Sequence, residues 1–267
     1  MRRWSFIFAA LFIAGCSSHS VVQSQSFTPD IFQRKLYHGW QPIRLAAING
    51  NTPQVTGIAS DAVNHKMWAI TNAQPATGGS LTRITMGGQL DTYPMALTPW
   101  AITVGPDDNV WVADEDTNSN LFVSRFTQSG VETDYPIPQF MEASVVVEQI
   151  INGPDGAMWF TACYPQGNVG GVGRIDTSGS VSFFPSFCDM AIASGPDGNL
   201  WYGDRTNVYA MNTQGTILGT YPIGQVQPKG IAAGADGNLY VLSVDSQQMS
   251  WCSRVTPGGI ITPVGSA

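Results

Sequence analysis

The sequence predicts an all-β fold, a β-propeller of four-stranded blades, and three observations carry that expectation. A short apolar strand, a Gly/Asp turn and a second strand centred on an aromatic residue recur five times, most legibly in Ile192-Ala193-Ser194-Gly195-Pro196-Asp197-Gly198-Asn199-Leu200-Trp201-Tyr202. The anchoring aromatics Trp68, Trp111, Trp159, Trp201 and Tyr240 stand 43, 48, 42 and 39 residues apart, a period near that of propeller blades. Beyond the N-terminus no stretch of useful length carries the apolar periodicity of an amphipathic helix.

Within each unit the first strand is small and apolar, as in Gly57-Ile58-Ala59-Ser60, Trp100-Ala101-Ile102-Thr103-Val104 and Gly230-Ile231-Ala232-Ala233. It enters a turn such as Gly105-Pro106-Asp107-Asp108, Gly153-Pro154-Asp155-Gly156 or Gly234-Ala235-Asp236-Gly237, where Pro presets φ and Gly supplies positive φ at the hairpin exit. The second strand carries the aromatic, as in Val110-Trp111-Val112 and Met158-Trp159-Phe160. Apolar neighbours on both sides place it between two covered faces.

The third strand contains Arg83-Ile84-Thr85, Arg125-Phe126-Thr127, Arg174-Ile175-Asp176 or Arg254-Val255-Thr256 and ends in another Gly turn, for example Thr177-Ser178-Gly179. The recurring arginine fits a repeated blade-to-blade contact. A fourth, outermost strand runs to an aromatic-Pro stop at Tyr93-Pro94, Tyr135-Pro136, Phe184-Pro185 and Tyr221-Pro222, where Pro blunts an exposed edge. Five repeats therefore span about residue 55 to residue 264. Leu36 to Pro53, with strand-like Pro42-Ile43-Arg44-Leu45-Ala46-Ala47-Ile48, contributes either closing strands or part of a sixth blade.

The ends of the chain have a different character. Arg2 and Arg3, an apolar run from Phe6 to Ala14, then Gly15 and Cys16 form a secretory signal over residues 1–16, too short for a permanent membrane span. Ile13-Ala14-Gly15-Cys16 resembles the bacterial lipobox, which implies lipidation of Cys16, and Ser17 after it implies the outer membrane, with the head in the periplasm or at the cell surface. Residues 17–35, rich in Ser and Gln, read as a flexible tether, and residues 36–267 as a single propeller domain. Without the signal, ten basic residues face nineteen acidic ones, a formal charge near −9. Such a balance argues against nucleic acid and anionic lipid surfaces as partners.

Gly195-Pro196-Asp197-Gly198-Asn199-Leu200-Trp201-Tyr202, together with Gly173-Arg174-Ile175-Asp176 leading to Phe184-Pro185, resembles the virginiamycin B lyase (streptogramin lyase) family of β-propellers. The resemblance covers essentially the whole head, although its motifs are repeat punctuation. It implies a carbon–oxygen lyase that opens a cyclic depsipeptide or lactone, with a His/Glu set and a magnesium ion on one face. In that chemistry a general base and a metal stabilise developing negative charge. The family strand Trp-Phe-Thr-Glu places its Glu at Thr71, Asp114, Ala162, Asp204 and Ser243 here. The histidines are His19, His38 and His65, and none lies in a loop between second and third strands.

The loops after the second strands still offer a candidate ligand or metal face: Asp114, Glu115 and Asp116 on one blade, then Asp204 and Arg205, with Glu148 interrupting an apolar first strand. Clustered carboxylates there would suit Mg²⁺ or Ca²⁺; the alternative is a solvated loop whose carboxylates cap turns. Three cysteines remain after Cys16. In an oxidising compartment Cys163 and Cys188, on the same face of neighbouring blades, are the expected disulfide, with Cys252 left over and buried. The expected function is a noncatalytic, lipid-anchored binding or scaffold protein for a peptide, glycan or protein partner, with no cofactor. The alternative is a divergent, metal-dependent lyase.

Overall fold

A computed structural model describes residues 53–73, 78–138, 146–164, 169–187, 191–224 and 226–264, all within one compact unit that spans 47–267. Residues 1–52, where the sequence predicts a signal, a tether and a first strand-like segment, lie outside the described residues. Twenty strands form five four-stranded antiparallel sheets, each strand paired with its sequence neighbour. Blade 1 holds β1 (Pro53–Asp61), β2 (Lys66–Ala73), β3 (Gly79–Thr85) and β4 (Leu90–Met95). Blade 2 holds β5 (Thr98–Val104), β6 (Val110–Glu115), β7 (Leu121–Phe126) and β8 (Glu132–Pro136). Blade 3 holds β9 (Val146–Asn152), β10 (Met158–Tyr164), β11 (Val169–Ile175) and β12 (Val181–Ser186). Blade 4 holds β13 (Ala191–Ser194), β14 (Leu200–Gly203), β15 (Asn207–Met211) and β16 (Ile217–Pro222). Blade 5 holds β17 (Val226–Ala233), β18 (Leu239–Asp245), β19 (Ser250–Val255) and β20 (Ile261–Pro263).

Consecutive blades pack through their first strands, β1 on β5, β5 on β9, β9 on β13 and β13 on β17. Four apolar cores fill the spaces between them. Trp68, Ile70 and Leu81 of blade 1 meet Val110, Val112 and Phe126 of blade 2, and Trp111 and Val123 meet Met158 and Phe160 of blade 3. Trp159 and Val172 meet Ile192, Tyr202 and Tyr209, and Trp201 and Val208 meet Ile231, Leu239 and Val241. Among the described residues no comparable core joins blade 5 to blade 1. In blade 5 Tyr240 replaces the tryptophan, Leu242 and Cys252 are half-buried, and Trp251 stays 44% exposed.

The Gly-Pro-Asp-Gly-x-x-Trp spacing has a direct physical cause. The indole N–H of Trp111 donates to Asp107 Oδ1 (3.0 Å), that of Trp159 to Asp155 Oδ1 (2.8 Å) and that of Trp201 to Asp197 Oδ1 (3.1 Å). In blade 5 the Tyr240 hydroxyl donates to Asp236 Oδ2 (3.1 Å), and in blade 1 Trp68 reaches Asp61 Oδ2 (3.4 Å). A buried indole N–H needs such an acceptor, and the turn aspartate supplies it. The first glycine of the turn is needed for space, because a Cβ on Gly153 would run into the Trp159 ring.

Outer aromatics complete the repeat. Trp111 stacks on Tyr135 at 5.7 Å, Trp159 on Phe184 at 5.6 Å and Trp201 on Tyr221 at 5.5 Å. The next blade's third-to-fourth turn lies directly over each outer ring. Gly130 sits against Tyr93, Gly179 against Tyr135, Gly215 against Phe184 and Gly259 against Tyr221, all four at positive φ. The recurring arginines share this job unequally. Arg83 donates to Gln128 O of blade 2 (2.7 Å) and Arg125 to Thr177 O of blade 3 (3.2 Å), as a blade-to-blade contact requires. Arg174 instead pairs with Asp155 of its own blade (2.7 Å), a correction that follows from the carboxylate already held beside Trp159.

Candidate functional site

In blades 1, 2, 3 and 5, at the end where the second strand leaves for the third, the inner hairpin slips register by one residue. The slip leaves Thr56 unpaired in β1, Trp100 in β5, Glu148 in β9 and Lys229 in β17. In blade 4 the matching position is Met190, outside the described residues. A β-bulge turns its extra side chain away from the regular alternation of the strand. Four equivalent positions on the innermost strands thus present a hydroxyl, an indole, a carboxyl and an ammonium. The sequence does signal the bulge: in two of the four, Pro99 and Pro228 stand directly before the extra residue, inside strands that would not otherwise admit proline.

Electrostatics tie these positions together. Burial raises the Glu148 carboxyl above its ordinary value, and the Lys229 charge opposes that rise. Burial also lowers the Lys229 ammonium; Glu148 opposes this, whereas Arg205 of blade 4 adds to it. One carboxyl and two cations, from three successive blades, therefore share a field. Beside Trp100, the Glu115 carboxyl is raised by burial; the indole pulls it back and Asp116 pushes it further up. Thr56 has a structural role, since its hydroxyl donates to Pro99 O of blade 2 at 3.3 Å.

The expected carboxylate cluster is taken apart. Asp114 is not a loop residue: it lies in β6 with no solvent exposure, accepting from Ser124 Oγ at 3.1 Å, while its Oδ2 is buried with no hydrogen-bond partner. Burial drives its carboxyl well above the ordinary aspartate value; Ser124 opposes this, and Asp134 and Glu132 reinforce it. Glu132, at the start of β8, is itself pushed up to about 7 by burial and by Asp134. Glu115, next along β6, points to the opposite sheet face from Asp114. Asp116 closes its own turn, accepting from the Asn118 amide (2.8 Å), the Asn120 amide (2.9 Å) and Asn120 Nδ2 (2.8 Å). Those bonds hold its carboxyl below the usual range.

Asp204 is equally committed, accepting from the Tyr209 hydroxyl (2.7 Å) and the amides of Thr206 (2.8 Å) and Asn207 (2.7 Å). Among the described residues no group of three or more His, Cys, Asp or Glu side chains is arranged to hold a metal ion. Asp114, Asp116 and Asp204, each engaged elsewhere, do not form an Mg²⁺ or Ca²⁺ donor set among the described residues. His65 lies in the β1–β2 turn at φ 50°, at the opposite end of the blade from the bulges. Cys163, next to last in β10, is buried, whereas Cys188 and Cys16 lie outside the described residues. Cys252, expected to be buried, is half-buried in β19.

Of the expected site residues, Glu148 is one of the bulged residues and Glu115 lies beside another, whereas Asp114 is buried and Asp116 and Asp204 are engaged by their own turns. Trp100 and Lys229 were not among the expected site residues.

Comparison with known proteins places this geometry in a family. A structure described as streptogramin B lyase superposes with a TM-score of 0.59 at 20% identity, over 80% of this chain and 83% of that one. A gluconolactonase from Xanthomonas campestris gives 0.53 at 15% identity, over 78% of each chain. A calcium-binding protein, regucalcin, from Agrobacterium tumefaciens gives 0.55 at 15% identity, over 78% of this chain and 72% of that one. At such identities these likenesses speak for the fold alone. No curated protein matches the sequence. The profile of the virginiamycin B lyase family matches residues 43–217, well over half the chain, and with the five blades described above the chain belongs to that family.

Proposed function

We propose that the chain is a noncatalytic binding protein. In this reading it is anchored to the bacterial outer membrane by lipid on Cys16, with its head in the periplasm or at the cell surface. The head engages a peptide, glycan or protein partner over the face that carries the bulge row and the second-to-third-strand loops. One observation carries this reading: the state of the five positions where the family strand has Glu. Thr71 and Ser243 are neutral, Ala162 is apolar, Asp114 is sealed in β6, and Asp204 is consumed by its own loop. A general base must reach the proton it removes, and none of these five is presented to do so.

Capture from detergent-solubilised envelope, with crosslinkers at exposed loop positions, is expected to recover one specific partner. Recovery of none, together with turnover of a substrate, overturns the reading. Family membership favours a second reading, a divergent lyase acting on a cyclic depsipeptide or lactone. Incubation with a streptogramin B compound and magnesium separates the two, because only the lyase yields linear product. Two further features belong to the same proposal. Cys16→Ala should move the protein from the membrane to the soluble fraction, and a nonreducing peptide map should join Cys163 to Cys188. Cys252 in the bridge would overturn that pairing.

A further inference from the structure

The loop from β18 to β19 in blade 5 has a counterpart in blade 2, and an aspartate organises both with the same bonds. Asp116 accepts from the amides of Asn118 (2.8 Å) and Asn120 (2.9 Å), and Asp245 from those of Gln247 (2.8 Å) and Met249 (2.9 Å). Ser119 and Gln248 occupy the left-handed region at the same step, at φ 62° and 63°. The second carboxylate oxygen separates the two loops. Asp116 Oδ2 accepts from the Asn120 side chain (2.8 Å), whereas Asp245 Oδ2 accepts from the indole N–H of Trp251 (3.1 Å).

Trp251 stands where blade 2 has Phe122. In the first four blades a fourth-strand proline lies opposite this position: Pro94 opposite Ser80, Pro136 opposite Phe122, Pro185 opposite Gly171 and Pro222 opposite Asn207. In blade 5 the described part of the fourth strand ends with Val264 bonded to Cys252, one residue short of Trp251. The indole is 44% exposed yet fixed in direction, and Gln247, Gln248 and Met249 beside it are exposed as well. A ring that only filled a packing position would be covered by its own blade.

We propose that this tip is a subsite for a neutral glycan. The Trp251 ring stacks on the apolar C–H face of one sugar ring, and the amides of Gln247 and Gln248 serve its hydroxyls. The bond to Asp245 orients the indole before binding, so little rotamer freedom remains to be lost. Charge selects the class. Asp245 is the one charged side chain from residue 245 to residue 251, and its oxygens are taken by two amides and the indole. An uncharged glycan asks for nothing more, whereas the termini and charged side chains of a peptide find no counter-charge on the loop. The inference rests on the proposed binding reading and names its ligand class.

The test is calorimetric titration of the full-length protein, in micelles of a detergent without a sugar headgroup, with cellotetraose, chitotetraose, maltotetraose and hexaproline. At least one tetrasaccharide is expected to bind, and Trp251→Ala should weaken it about five- to tenfold, the scale of an aromatic stacking contact. Trp251→Phe, which keeps a ring but loses the bond to Asp245, should fall between the two. Phe122→Ala in blade 2 should leave binding unchanged, and the melting temperature of each variant checks the fold. No tetrasaccharide bound at millimolar concentration, or equal binding by the wild type and Trp251→Ala, overturns the inference. Binding of hexaproline alone, lost in Trp251→Ala, overturns it in favour of a peptide. Partner capture decides the wider binding reading separately, so the two failures are distinguishable.

Discussion

At one end of the inner hairpins an aspartate accepts a hydrogen bond from the anchoring aromatic in all five blades, whereas at the other the bulged residue is Thr56, Trp100, Glu148 or Lys229. Both ends are geometrically regular, and only the first is chemically regular. The difference separates positions whose side chain the stacking dictates from positions where it dictates only the backbone. In a repeat fold each unit solves the same packing problem, so packing alone explains sameness and cannot explain diversity at a fixed backbone position.

The comparison can be broken by substitution, and the turn end should give the largest effects. Trp159→Ala removes a fully buried ring from the core between blades 3 and 4 and should cost about 3–5 kcal/mol in denaturant unfolding. A loss under about 1 kcal/mol would mean that the stack is not what holds these blades. Gly179→Ala should follow at about 1–3 kcal/mol, because it combines positive φ with a Cβ driven into Tyr135. Gly156→Ala, also at positive φ but facing open space, should cost visibly less. Equal costs would show that backbone strain, not the ring beneath, explains the glycine.

Two pH predictions follow, of opposite sign. Burial alone would raise the Asp155 carboxyl, but bonds from Trp159, Arg174 and the Ala157 amide bring it below its ordinary value. Its stabilising contribution is therefore complete above the unfolded pKa and lost as pH falls through the folded one. Asp155→Asn should flatten the acid side of the stability profile. Asp114 and Glu132 are raised, so the folded state holds their protons longer than the unfolded chain, and stability declines as pH climbs through that window. Asp114→Asn should gain on the wild type in melting temperature as pH rises above the ordinary aspartate range. A constant difference over that rise would show that Asp114 does not titrate there. The smallest change belongs to the bulge end: Glu148→Gln and Lys229→Met should alter stability by no more than about 0.5 kcal/mol. A larger loss would make the bulge row part of the packing.

The blades were legible in the sequence because their turns use residues with few alternatives: Gly for φ and for close approach, Asp as indole acceptor, Trp as the ring. The site was less legible. Asp114 read as the start of a loop because aspartate is a poor strand former, and nothing local reveals that Ser124, across the sheet in β7, shelters it. Glu148 stood out as a charge in an apolar strand. Its equivalents were hidden, because finding Trp100 and Lys229 requires aligning first strands from different blades and allowing one unpaired residue. Pro99 and Pro228 mark that slip, but only once those segments are known to be inner strands.

The turn glycines that lie over Tyr93, Tyr135, Phe184 and Tyr221 give the assembly a direction. Each blade roofs the outer ring of the blade before it, and blade 5, with Val264 where the others carry an aromatic, offers no ring to a successor. Damage should therefore travel backwards along the chain: a side chain added at Gly259 in the last blade is felt first as a displaced Tyr221 in the fourth. Shortening the chain by its final blade strips cover from a ring that stays behind, whereas removing the first blade takes its own ring away with it.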